Sequence, residues 1–249
     1  MGRKVVVVAH PDDEILWFSS VVGEADPVVL CFGAPYLRPR KAKGRAGAVA
    51  HLGLPRLENL ALPESGARLQ VDWKNPELTE TGIKISDPDA QMRYDANFPI
   101  LIEKLCPILA GATDVYTHNP WGEYGHSEHV QVYRAVKSLQ EALHFNVWFS
   151  NYAAPQTRQF AQQIGRSPLW RHKQRLPTDI KTAHRLRDVY RRYDAWTWSN
   201  WHKWPASEVF YAQPHGSLEH WHDMQGEYLY NARGLRVWRP IWTAKWQLS

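Results

Sequence analysis

The chain has 249 residues, 44% of them hydrophobic, and 30 Lys and Arg against 25 Asp and Glu give a formal charge of +5. That length fits one α/β domain with an elaborated end and a sizeable core. No apolar run approaches the roughly 20 residues of a membrane span, so an integral membrane segment is not expected.

Val5-Val6-Val7-Val8-Ala9 reads as a fully buried strand of a parallel sheet. Met1-Gly2-Arg3-Lys4 leads directly into it, without the apolar stretch of a signal peptide. Only two cysteines are present, Cys31 and Cys106, so a disulfide framework is not expected and a cytoplasmic location is.

His10-Pro11-Asp12-Asp13-Glu14 follows at the carboxyl end of that strand, where α/β folds keep their chemistry. Nucleotide-binding folds place glycines there to cradle a pyrophosphate. An imidazole and three carboxylates would instead repel a phosphate and attract a cation. The cluster therefore points to a metal, although Asp12, Asp13 and Glu14 could also simply cap a helix and complement its dipole.

Strands are predicted over 4–9, 27–32, 57–62, 114–117 and 146–150, with helices near 13–24, 41–53, 97–110 and 127–143. This alternation predicts an α/β, Rossmann-like fold, a mostly parallel sheet with helices on both faces. After the second strand Arg38, Arg40, Lys41, Lys43 and Arg45 crowd together, and Arg185, Arg187, Arg191 and Arg192 form a second group. Such patches are either solvated surface or a contact for a phosphate in the substrate. Residues 63–96, with little periodicity, are predicted as a long loop forming one wall of a cleft. Asp95 and Asn97 are candidate sugar contacts there, Asp95 alternatively capping the helix that follows.

The strand 114–117 runs into a second cluster, His118-Asn119-Pro120-Trp121-Gly122-Glu123-Tyr124-Gly125-His126-Ser127-Glu128-His129. His126 and His129, three apart at the start of a helix, share a face. The positive end of the helix dipole keeps both rings neutral and able to donate a lone pair. A catalytic zinc takes three nitrogen or oxygen ligands and leaves one position open. His10, Asp13 and His129 would supply that set, and Asp12 would remain a free carboxylate for proton abstraction. The same ligands accept iron or cobalt.

Ala9-His10-Pro11-Asp12-Asp13-Glu14 together with Tyr124-Gly125-His126-Ser127-Glu128-His129 resembles the LmbE-like (PIG-L) zinc-dependent N-deacetylases, over about residues 4–150. Ser127-Glu128 stands where Pro-Asp is common in that family. The resemblance implies His10, Asp13 and His129 as zinc ligands and Asp12 as general base. It also implies that His126 steadies the oxyanion or protonates the departing amine, with Tyr124 assisting at the same oxygen. Arg45 begins a segment similar to the family's second helix and is assigned, with Asp95 and His118, to substrate binding. The implied reaction is hydrolysis of the acetamide of an N-acetylated amino sugar or its conjugate; a nucleic-acid partner is not expected, since no helix-turn-helix, zinc-finger or RRM signature is present. A zinc amidohydrolase for a non-sugar acyl amide and a catalytically inactive carbohydrate-binding protein are the alternatives. A serine hydrolase and a dehydrogenase are excluded by the lack of a Gly-x-Ser-x-Gly elbow and of a glycine fingerprint.

Residues 1–150 are thus read as the catalytic core and 151–249 as an aromatic-rich extension that packs on it and helps to shape the substrate cleft. Residues 178–193 predict an amphipathic helix capped by Thr178. Trp196, Trp198, Trp201 and Trp204 are read as buried core in preference to a sugar platform. His215, His220, His222 and Asp223 match no standard ligand spacing and are read as structural or surface residues.

Overall fold

The computed structural model describes residues 2–165, 172–213, 215 and 229–230. In chain order its elements are β1 (Lys4–Val8), α1 (Asp13–Trp17), β2 (Val28–Ala34), α2 (Pro39–Val49), β3 (Leu57–Pro63), a 3-10 turn (Ala67–Leu69), β4 (Leu78–Thr79) and β5 (Gly82–Ile83). There follow α3 (Pro88–Leu109), β6 (Asp114–Thr117), α4 (Ser127–Leu143), β7 (Asn146–Ser150), β8 (Tyr152–Ala153), α5 (Arg158–Gly165), β9 (His172–Pro177), α6 (Ile180–Arg192), β10 (Ser207–Gln213) and β11 (Leu229–Tyr230). The main sheet has seven strands in the order β3-β2-β1-β6-β7-β10-β9. The first five are parallel, and β10 and β9 close the edge antiparallel.

The four valines of β1 explain why this strand is central. Val5 and Val7 face a core shared with Leu101 and Leu105 of α3 and Val132 and Val136 of α4. Val6 and Val8 face a second core with Ile15 of α1, Ala48 of α2 and Leu186 and Tyr190 of α6. A strand covered on both faces has no polar side to show, which is why its sequence does not alternate. Among the described residues no helix is long and apolar enough to cross a membrane.

Several predicted elements differ from the structure. The helix expected over 13–24 stops at Trp17, because Ser19 and Ser20 donate both their backbone N–H groups and their hydroxyls to the Glu208 carboxylate. The long loop expected over 63–96 holds the 3-10 turn, the β4–β5 hairpin and the first turns of α3. Asp87 caps α3 by accepting from the Ala90 N–H at 2.7 Å, and the helix runs on through Pro99 and Pro107. Asp95 is therefore an interior helix residue and not its cap. Asp179, not Thr178, caps α6, accepting from the Thr182 N–H at 2.9 Å. The strands β9 and β10, absent from the sequence reading, extend the main sheet. Trp204 is buried as expected, whereas Trp201 is exposed. His215 meets His144 on the surface, and His220, His222 and Asp223 lie outside the described residues.

Candidate metal centre

The sheet order reverses at β1, which pairs with β2 on one side and β6 on the other. The loops leaving the carboxyl ends of β1 and β6 flank the crevice that such a reversal creates. Both sequence clusters therefore arrive at one place.

In the first loop, Asp13 Oδ2 accepts from the His10 backbone N–H at 2.8 Å and stands 3.2 Å from His10 Nδ1. Its other oxygen accepts from the Trp17 indole at 3.3 Å. Asp12 adopts φ 95°, a left-handed conformation that costs a non-glycine residue about 1–3 kcal/mol. Its carboxylate is thereby turned to Thr197, whose N–H and hydroxyl donate to Asp12 Oδ2 at 2.9 and 2.5 Å. Burial and the neighbouring Asp13 charge push the Asp12 carboxyl up to about 6. Glu14 accepts from the Asp12 N–H at 3.0 Å and from the Tyr190 hydroxyl at 2.7 Å.

The second loop turns at Gly122, where φ is 69° and a Cβ would come within 2.6 Å of the His126 carbonyl oxygen. Only glycine fits there. His126 is the residue that precedes α4, so the ring of His129 comes one turn later on the same side. The two rings stack with centroids 4.7 Å apart. His129 Nδ1 lies 2.8 Å from Glu123 Oε2, and its Nε2 lies 3.2 Å from Asp13 Oδ2. A carboxylate on one nitrogen fixes the tautomer and leaves the other nitrogen's lone pair free, the arrangement usual behind a metal-ligating histidine. Burial raises Glu123, but His118 and His129 outweigh it and hold the carboxyl at about 2.

His10 Nε2 faces Glu128 Oε2 at 3.1 Å and Glu64 Oε1 at 3.6 Å. Burial pulls this imidazole down, yet Asp13, Glu128 and Glu64 carry it up to about 9. His126 goes the other way: burial and then the charges of His10 and His129 keep it well below its ordinary value. The Tyr124 ring stands edge-on to His126 and His129, with centroids 5.9 and 5.4 Å away.

These residues fit a divalent cation. His129 Nε2 and His126 Nδ1 are buried without a hydrogen-bond partner, a state that costs free energy unless something accepts their lone pairs. Ligands at about 2.0–2.1 Å in a tetrahedral shell stand about 3.3 Å from one another. Asp13 Oδ2 is 3.2 Å from both His10 Nδ1 and His129 Nε2. Among the described residues, three overlapping groups have donor atoms within 4.8 Å of one another: His10, His126 and His129; Asp13, His118 and His129; and His10, Glu64 and Glu128. Glu64, with 17% of its side chain exposed, is the most open member of the cluster, and His10 and His126 are each 4% exposed.

Of the predicted site residues, His10, Asp12, Asp13, Tyr124, His126 and His129 converge. Arg45 also comes to the edge of the site, where it is buried and ion-paired to Glu64. His118 is corrected from a substrate contact to a support. It is fully buried, its Nε2 accepts from the Ala9 N–H at 2.8 Å, and its Nδ1 donates to Glu123 at 3.1 Å. Asp95 is likewise a support: it accepts from Thr81 and Gln91 at 2.5 and 2.8 Å and ties the β4–β5 hairpin to α3. Asn97 donates to the Pro63 carbonyl at 3.0 Å. Sequence reasoning assigned no role to Glu64, Glu123, Glu128 or Thr197. Glu123 and Glu128 sit among the motif histidines, which was the available signal.

No family model and no curated protein matches the chain. Solved structures do. The zinc-inhibited form of teicoplanin deacetylase Orf2 is 14% identical, covers 84% of this chain and 97% of its own, and superimposes with a TM-score of 0.50. A deacetylase–teicoplanin complex from the biosynthesis pathway of teicoplanin is 13% identical over 86% of this chain and 99% of its own, again with a TM-score of 0.50. The chain has the fold of these LmbE-like deacetylases, in keeping with the two motifs that resemble that family.

Proposed function

We propose that the chain hydrolyses the acetamide of an N-acetylated amino sugar or sugar conjugate of the N-acetylglucosamine type, releasing acetate and a free amine. The observation that carries this reading is the split between neighbours: Asp13 joins His10 and His129, while Asp12 is turned aside and stays uncommitted to them. A structural metal has no use for such a spare carboxylate; hydrolysis does. The fold shared with teicoplanin deacetylase supports the same class of reaction.

His10, Asp13 and His129 would hold zinc, or iron or cobalt in its stead. When bound, such an ion supplies Lewis acidity and makes a water nucleophile available near neutral pH. Asp12 takes the proton of that nucleophile. The Tyr124 hydroxyl, which burial keeps protonated, and a ring N–H of neutral His126 donate to the oxygen on which negative charge develops. Asp12, having taken that proton, is placed to return it to the departing amine.

Arg45 and the cationic run before it would face a phosphate carried by the sugar conjugate. Residues 151–249 would help to shape the cleft, a role supported by Thr197 reaching Asp12. A cytoplasmic location suits the free thiols of Cys31 and Cys106. The test is acetate release from a panel of N-acetylglucosamine conjugates by the zinc-loaded protein, with Asp12→Asn beside it. Wild type should release acetate, and Asp12→Asn should retain the metal and lose turnover. Full activity in Asp12→Asn would remove the base assignment, and no release from any conjugate would remove the substrate class.

A further inference from the structure

Tryptophan carries one polar group, the indole N–H, and a ring held inside a fold normally donates it to a partner. Trp17, Trp121, Trp148, Trp196 and Trp204 do so, each to a carboxylate or carbonyl oxygen. Among the described residues, three indoles donate to no protein group: Trp73, Trp198 and Trp201. Trp201 is 86% exposed and needs no protein partner. Trp73 and Trp198 are half-buried, the first packed on the core at one face of the sheet and the second on the core at the other. Both rings are thus fixed by the fold, while their N–H groups stay uncommitted and open to solvent.

Both also stand at the candidate metal centre. Trp73 lies against the turn that carries Tyr124 and His126. A Cβ on Gly125, between those two residues, would come within 3.1 Å of Trp73 Cε2 and 3.2 Å of its Nε1. This approach and the φ of 89° at Gly125 both call for glycine. Trp198 meets the Tyr124 ring itself, with centroids 5.0 Å apart, and follows Thr197, whose N–H and hydroxyl hold Asp12. It also stands edge-on to Trp17, which donates to Asp13. One uncommitted indole therefore borders the pair that would meet the developing charge, and the other borders Tyr124 and the base.

Packing accounts for these two rings but not for their nitrogens, since phenylalanine would fill the space with no polar edge to satisfy. Water satisfies such an N–H in the open crevice; a substrate group that displaces the water must replace its bond. A flat apolar face with a donor on its edge is the counterpart of a pyranose, whose C–H groups lie on one face and whose hydroxyl oxygens ring its rim.

We propose that Trp73 and Trp198 are specificity-determining residues of this site, taking a pyranose ring against an indole face and its hydroxyls at the two indole N–H groups. The assignment rests on the proposed deacetylase reaction and names what is recognised beyond the acetamide. The test compares an N-acetylglucosamine conjugate with an acyclic acetamide, N-acetylethanolamine, as substrates of the zinc-loaded protein. Trp73→Ala and Trp198→Ala should each raise KM for the conjugate about tenfold with kcat within about twofold of wild type, and the preference for conjugate over acyclic acetamide should fall in step. Trp73→Phe and Trp198→Phe keep a ring and lose only the N–H, so each should raise that KM about fivefold with an unchanged thermal melt. Calorimetric titration of the conjugate into zinc-loaded Asp12→Asn, with and without each alanine change, should show the same loss without turnover. Wild type that prefers the conjugate, beside alanine and phenylalanine variants that keep the full preference, would overturn this inference and leave the deacetylase reading standing. Wild type with no preference for the conjugate would overturn the inference and the sugar class together, and no hydrolysis of either compound would remove the reaction as well.

Discussion

Two segments meet over Asp12, and they are built in opposite ways. Residues 10–14 are local: backbone and side chains within five positions hold one another, as in the His10–Asp13 pair. Residues 194–204 come from the far end of the described chain and reach the site only through the fold, by the Thr197 bonds to Asp12, the Trp204 indole bond to the Ile15 carbonyl at 2.6 Å and the Trp198 contact with Tyr124. The first segment would supply two of the three ligands, His10 and Asp13, and the base, Asp12. The second sets the environment in which the base works. Damage to one should therefore abolish chemistry, whereas damage to the other should tune it or loosen the fold.

The largest effect is expected in the ligand set. His129→Ala should lose the bound ion and lower kcat/KM on the order of 10³-fold, the several kcal/mol that Lewis acidity contributes; metal analysis and acetate release read both. On the opposite segment, Trp204→Ala should leave the ligands in place but destabilise the fold by about 3–5 kcal/mol, because it removes a buried indole and the bond to Ile15. Denaturant unfolding measures that loss. Support behind the ligands is intermediate: Glu123→Gln should weaken zinc affinity by about 10–100-fold, since the carboxylate holds His129 in its tautomer.

Smaller effects separate tuning from chemistry. The two Thr197 bonds favour ionised Asp12, so Thr197→Val, which keeps the backbone N–H, should raise the carboxyl above about 6. The acidic limb of the kcat/KM profile then moves to higher pH, with little change on the alkaline side. The smallest effect concerns stability alone. Burial, aided by Arg187, lowers the His202 imidazole to about 4. A group neutral in the fold but titrating near 6.5 when unfolded contributes stability above that value and loses it as pH falls towards 4. His202→Gln should flatten this part of the stability curve, read as the denaturant midpoint across that window.

The same contrast explains what could be read in the sequence. The strand β1, the turn of acids after it and the His126–His129 spacing are short-range patterns, and each was legible from neighbours alone. Glu123 stood within the motif, yet its role depends on His118, which arrives from the strand end to share the carboxylate. Thr197 and Glu208 carried no local mark. Thr197 meets its partner across 185 residues, and Glu208 ends α1 early across 189. The start of α3 was also missed: the helix was expected from about residue 97, whereas the Asp87 cap and Pro88 in the first turn begin it nine residues earlier. Trp201 was read with its aromatic neighbours as core, and only the fold shows it pointing to solvent.

Diffraction from crystals of the zinc-loaded protein, recorded at the zinc absorption edge, tests the centre most directly. A single anomalous peak bounded by His10, Asp13 and His129, with Asp12 still held by Thr197, is the expected result. A peak among His10, Glu64 and Glu128, a peak coordinated by Asp12, or no peak at all would contradict it.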